Sequence, residues 1–236
     1  MRCLIANCEI KIKVFVLYES IIMNKVAILG STYLGPVEYY SKLFAYDEAV
    51  IEQYDHYRKQ TYRNRCIIAS ADGPLALTIP TEKSETGKSL MKDVRISEHG
   101  NWRHQHWNAF VAAYKQSPFF DYYSDEFHRF FDKHYDFLFD FNQEILQWVC
   151  EQIDIQPRIS FTSDFILDPE GMDDFRESIS PTRHVEAEND SFIAKPYYQV
   201  FETKLDFLPN LSIADLLFNM GPESLLVLRD CNKPTN

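Results

Sequence analysis

Residues 26–54 constrain the fold more than any other stretch of this chain. Residues 26–31 (VAILGS) are a short apolar run ending in small residues, the pattern of a buried strand. Pro36 opens a helix, as proline often does at a first helical position, and Val37, Tyr40, Leu43 and Phe44 give that helix one apolar face. Residues 49–54 (AVIEQY) read as a second strand. Strand, helix and strand in this order favour a right-handed parallel crossover, which brings the 31–36 turn and the end of the second strand to the same carboxyl edge of a sheet. Ligands of open α/β sheets bind at that edge.

At that edge the sequence turns basic and aromatic. Residues 53–65 (QYDHYRKQTYRNR) hold three tyrosines and Arg58, Lys59, Arg63 and Arg65, in a chain whose formal charge is −11. Between Arg58 and His106 nine basic residues face five acidic ones, whereas the rest of the chain is strongly acidic. Such a segment is either a focused positive field for an anionic small molecule or a solvated face that balances acidic helices. On a strand, Arg63 and Arg65 point one way and Asn64 the other. Two guanidinium forks on one side suit a phosphate or carboxylate, and equally guard an edge strand against aggregation. The overall excess of acid argues against nucleic-acid or membrane-surface partners.

Beyond this, residues 65–70 and 75–81 read as a hairpin turned at Asp72-Gly73, with Pro80 ending it. Residues 82–90 are polar and are expected to form an exposed, mobile loop, and residues 94–97 a last short strand. The period then changes. Trp102, His106, Phe110 and Tyr114 are spaced by four on one helix face, as a core stripe or as a wall for stacking on a ring. Pro118 ends that helix, and a longer one is expected over 125–152. Residues 154–181 are mixed, and 186–190 are acidic and expected to be exposed. Ser212 with Asp215 has the spacing of a capping box, starting a helix that runs to Met220 and closes at Gly221-Pro222. Asp173-Asp174 and the Asp121/Asp125 pair read as surface charge.

A chain of 236 residues suits one large domain. The expected architecture is α/β: a mixed sheet in the N-terminal half with a helical C-terminal half packed on it. Five cysteines (Cys3, Cys8, Cys66, Cys150, Cys231) make neither a disulfide framework nor a zinc pattern, which fits a reducing cytoplasm. Glu9, Lys11, Lys13 and Glu19 interrupt the apolar runs of residues 1–22, so no membrane span of about 20 apolar residues survives there. Met23 looks like a natural start. Residues 1–22 are expected to be an upstream start-site artefact or a loosely docked extension, and 23–236 the domain. His99, His104 and His106 lack the spacing of metal ligands: two residues apart on a helix, His104 and His106 point about 160° from one another. No metal or other cofactor is called for.

A series of short matches carries a resemblance. Tyr33-x-x-Pro36-x-x-Tyr39-Tyr40, Tyr57-x-Lys59, Asn64-Arg65 and Leu77-Thr78-Ile79-Pro80 are followed by Trp102-x-x-x-His106, Tyr114 and Pro118-Phe119-Phe120. Tyr198-Gln199-Val200-Phe201, Phe207-Leu208-Pro209-Asn210-Leu211-Ser212-Ile213, Asp215-Leu216-Leu217-Phe218-Asn219 and Gly221-Pro222-Glu223 complete it. In order and together these resemble the WbqC-like family. One departure is Ser31-Thr32, where the family's opening usually reads Gln-Pro. The resemblance implies a cytosolic bacterial protein of surface-polysaccharide, O-antigen-type biosynthesis. The opening is also loosely similar to nucleotidyltransferase-like folds, without their H-x-G-H phosphate signature.

The reading that follows is a group transferase acting on an anionic sugar- or nucleotide-linked substrate such as a nucleotide sugar or sugar phosphate. The rival reading is a non-catalytic accessory protein of the same pathway. Arg63, Arg65 and Lys59 are expected to hold the anion, and Asn64, Tyr33 and Tyr57 to hydrogen-bond it. Trp102, His106 and Tyr114 are expected to form a stacking wall, with His106 as the acid or base because imidazole titrates near neutrality. The expectation requires Tyr33, Asn64, Arg65 and His106 to converge on one pocket.

Overall fold

A computed structural model describes residues 25–83, 87–181 and 192–232. The expected extension at 1–22, the acidic run at 186–190 and residues 84–86 of the expected loop lie outside the described residues. The architecture is α/β, with sheets founded in the N-terminal half and helices packed on them. Strand β1 (Val26–Gly30) is followed by helix α1 (Val37–Ala45), β2 (Glu48–Glu52), then the hairpin β3 (Arg65–Ser70) and β4 (Gly73–Thr78). Helices α2 (Trp102–Tyr114), α3 (Phe120–Asp132) and α4 (Leu138–Gln152) come next, then β5 (Arg158–Phe161) and β6 (Met172–Asp174). The short α5 (Glu202–Leu205), α6 (Ile213–Met220) and α7 (Ser224–Asp230) complete it.

The strand–helix–strand opening forms a parallel pair, β1 against β2. It sits in a four-stranded sheet of order β5-β2-β1-β6, parallel throughout, while β3 and β4 pair antiparallel apart from it. Ala27, Ile28 and Leu29 are fully buried, as a central parallel strand covered on both faces requires. The two outer strands come from the segment that the sequence leaves mixed. Asp173 and Asp174 are exposed, as expected of surface charge, and also belong to β6, whose pairing with β1 rests on backbone hydrogen bonds that no side-chain pattern reveals.

Two further boundaries differ from expectation. The helix expected over 125–152 is broken between α3 and α4, because residues 136–138 bond instead to the 94–96 backbone: Ile96 N–H to Asp136 C=O, Leu138 N–H to Val94 C=O. The strand expected at 94–97 is accordingly reduced to single bridges, Thr81 with Ile96 and Arg95 with Phe137. The helices bury an aromatic core centred on Phe127, whose ring lies 5.0 Å from Phe110, 5.2 Å from Phe131, 5.3 Å from Phe218 and 5.5 Å from Trp148. Gly221 closes α6 at φ 53°, where a Cβ would meet the Phe119 ring at 2.6 Å.

Ser212 caps α6 by accepting from Ala214 N–H, but Asp215 does not complete a capping box. The Ser212 N–H already bonds Ile67 C=O, leaving nothing for Asp215 to accept from it. The fully buried Asp215 carboxylate turns inward and accepts from the Tyr114 hydroxyl (3.0 Å), the Tyr197 hydroxyl (2.7 Å) and Gln199 Nε2 (2.9 Å). Desolvation raises its pKa to about 6, against the hydrogen bonds that lower it. The native state therefore binds a proton that the unfolded chain releases near pH 4, and stability falls as pH rises through that window. Relative to Asp215→Asn, the wild type should lose about 2 kcal/mol of unfolding free energy between pH 4 and pH 7, measurable by urea denaturation.

Candidate functional site

The chain builds outward from β1 to β2 and β5, then crosses to the other side of β1 for β6. Strand order reverses there, and a cavity of about 580 Å³ opens at the carboxyl ends of these strands. Tyr54, Asp55, His56 and Arg58 reach it from beyond β2, Asp164 and Phe165 from beyond β5, and Asp174, Arg176 and Glu177 from β6 and its exit.

The cavity is braced by one buried ion pair. Glu52, the last residue of β2, is fully buried and accepts from Arg176 Nη1 (3.2 Å), Ile166 N–H (3.2 Å), Thr162 Oγ1 (2.8 Å) and Tyr54 N–H (2.8 Å). Arg176 also donates to Ile166 C=O (2.6 Å) and to Asp174, and its guanidinium lies 5.3 Å from the Phe165 ring centre. Burial works against ionisation of Asp174, but the Arg176 hydrogen bonds outweigh it and hold this carboxyl below its usual range. Beside this brace, the buried Arg63 bonds Asp55 and stands 3.7 Å from Glu177, which also pairs with Arg58. Arg63 Nε and Asp55 Oδ1 have no hydrogen-bond partner, although both side chains are buried. Arg63 lines a water-sized hollow with Gly30, Ser31 and Thr32 behind the cavity wall.

The nine residues expected from sequence fall into two groups. Tyr33, Trp102, His106 and Tyr114 are all buried in the interior. Tyr33 stacks on His106 at 5.7 Å, with its hydroxyl 3.0 Å from Nδ1, and Trp102 meets the same imidazole edge-on at 5.2 Å. Tyr114 bonds Asp215 and the Ala69 N–H. Tyr57, Lys59 and Arg65 lie toward the exterior: Lys59 is exposed, Tyr57 accepts from Thr81 Oγ1 (3.3 Å), and Arg65 Nε donates to Thr78 Oγ1 (3.0 Å), while Arg63 is buried on this side against Asp55. Burial raises the Tyr57 pKa, with Arg63 and Arg65 acting against it, so these two arginines do share a neighbourhood. Asn64 turns inward to donate to Ile79 C=O (2.9 Å). None of the nine lines the 580 Å³ cavity, although Arg63 contacts two residues that do, Asp55 and Glu177.

Strand alternation sets Arg65 apart from the interior group. Cys66 faces Tyr33, so its neighbour Arg65 points away from Tyr33 and His106. The cavity residues Asp164, Asp174, Arg176 and Glu177, and Glu52 beneath them, have no motif in the sequence. The one available signal is position, since Glu52 ends the second strand of a parallel crossover. Among the described residues no group of three or more His, Cys, Asp or Glu could hold a metal ion.

Desolvation lowers the His106 pKa to about 4, so the imidazole is neutral at pH 7. A base with a depressed native pKa loses stability as pH falls from about 6.5 toward 4, by about 3 kcal/mol in all. Nitrogen-15 NMR titration should find His106 protonating well below pH 6. A midpoint near 6.5 would contradict its burial against Tyr33.

The family model described as "WbqC-like protein family" matches residues 31–189. A Mycobacterium tuberculosis protein described as "Uncharacterized protein Rv1507c" is 23% identical over 232 residues, covering 89% of this chain and 100% of that protein. No solved structure matches. No helix among the described residues is long and apolar enough to cross a membrane. The family match, from the turn after β1 onward, spans β2, the hairpin, the aromatic helices and every residue lining the cavity, and the chain belongs to the WbqC-like family.

Proposed function

We propose that this protein binds an anionic sugar- or nucleotide-linked molecule in the cleft at the carboxyl edge of its parallel sheet. We take it to act there as a cytoplasmic group transferase of surface-polysaccharide biosynthesis. One observation carries the reading: Arg58, Arg176, four carboxylates and two aromatic rings line a single cavity at the point where strand order reverses. Its volume, about 580 Å³, is in the range of small-molecule sites.

The lining fits such a substrate. Arg58, backed by Arg63, supplies forked donors for a phosphate or carboxylate. Asp164 and Asp174 can accept from sugar hydroxyls, while Phe165 and Tyr54 offer ring faces to a sugar or base. His56 is the imidazole at this cavity and the group we assign to proton transfer. His106 we assign to positioning: neutral and buried, it holds Tyr33 and with it the turn after β1, next to the hollow behind Arg63.

Thermal-shift screening against nucleotide sugars and sugar phosphates tests this. A true ligand at about 100 times its dissociation constant adds roughly 2.7 kcal/mol of stability. Arg58→Ala should abolish the shift while leaving the free protein's melting temperature unchanged, since Arg58 is exposed. A shift that survives the substitution counts against the cleft. We also propose that residues 23–236 form the functional unit. A chain beginning at Met23 should melt within about 2 °C, or about 0.5 kcal/mol, of the full chain.

A further inference from the structure

One acidic side chain occupies the place where a ligand's anion belongs. Glu177 Oε1 pairs with Arg58 Nη2 and lies 3.7 Å from Arg63 Nη2, so one carboxylate oxygen is shared by two guanidinium groups. Arg63 does not need Glu177 for neutrality, because Asp55 is already bonded to it inside the protein. Nor does this contact hold the fold. The side chains of Arg58 and Glu177 are 56% and 60% exposed, and ion pairs at that exposure contribute little. Arg58, Asp55 and Glu177 all line the cavity, and Arg63 stands at its wall with Nε unpartnered.

We propose that Glu177 is an internal stand-in for a phosphate group, and that a phosphorylated substrate enters by displacing it from Arg58 and Arg63. The inference rests on the cleft being the substrate site, and it narrows the substrate class. A carboxylate offers two oxygens, and Glu177 already supplies one such group tethered in place. A phosphate carries more charge and three oxygens spread in a tetrahedron, enough to engage both guanidinium groups at once. Molecules whose charge is a phosphate or diphosphate therefore displace Glu177, while a sugar whose only charge is a carboxylate does not. Glu177 acts as a selectivity threshold, and its return to the arginines favours release of the product.

The test is calorimetric titration of inorganic pyrophosphate into the full chain, into Glu177→Gln, and into Glu177→Gln combined with Arg58→Gln. Glu177→Gln should bind pyrophosphate at least about fivefold tighter than the wild type, equivalent to about 1 kcal/mol. The added Arg58→Gln should erase that gain, and raised salt should shrink it. Equal or weaker binding by Glu177→Gln, or a gain that survives Arg58→Gln, overturns the proposal. Titrating nucleotide sugars into the wild type separates the two readings. If they bind while Glu177→Gln gives no pyrophosphate gain, the cleft stands and the stand-in falls. If the gain appears without nucleotide-sugar binding, the stand-in survives and the sugar reading fails.

Discussion

The candidate site depends on the pairing of Glu52 with Arg176. Both side chains are nearly fully buried, a position charges occupy only when they are paired and hydrogen-bonded. Here the bonds are complete enough to serve as scaffolding. Glu52 gathers the backbone beyond β2 and β5, Arg176 gathers the loop beyond β5 and the exit of β6, and each holds the other. Three segments distant in sequence thus meet around one charge pair. Removing either partner leaves an uncompensated buried charge, which typically costs 3–5 kcal/mol. The cleft is therefore rigid at its floor, while its mouth, where Arg58 and Glu177 meet, is exposed and free to change partners.

A second polar framework lies deeper and serves the fold. Asp215 ties α2, α6 and the segment at 197–199 together, and Tyr33 with His106 ties the turn after β1 to α2. That turn needs external support. Leu34 has φ 44°, a conformation costly for a branched side chain, and its carbonyl accepts from Ser212 Oγ while the next carbonyl accepts from Ile213 N–H. The two buried titrating groups act in opposite senses across the same pH window: protonation favours the native state at Asp215 and opposes it at His106.

How much was legible in the sequence follows from how local each signal was. The crossover at 26–54 could be read because a strand buried on both faces is a continuous apolar run, and the hairpin because Asp72-Gly73 marks its turn. Gly221 marks the end of α6 for the same kind of reason. The break between α3 and α4 could not be read, since it depends on bonds to residues 94–96. Asp215 has the spacing of a capping residue, and only the Ser212–Ile67 bond shows why it is free for other work. Arg63 was visible as charge in the right place. Glu52 and Arg176 were not, because a buried ion pair more than a hundred residues apart leaves no pattern in either segment.

Strand β6 has a consequence for biosynthesis. It is three residues long and mostly polar, yet it closes one side of the central strand and delivers Asp174 and Arg176 to the cleft. On the ribosome, β1 waits for it while about 140 residues are added, which takes on the order of ten seconds at ordinary elongation rates. Through that interval one edge of β1 is an unpaired apolar template and Glu52 is a carboxylate without its arginine. The last strand to join the sheet is also the one that makes the site, so a chain stalled before it has neither a protected sheet nor a cleft.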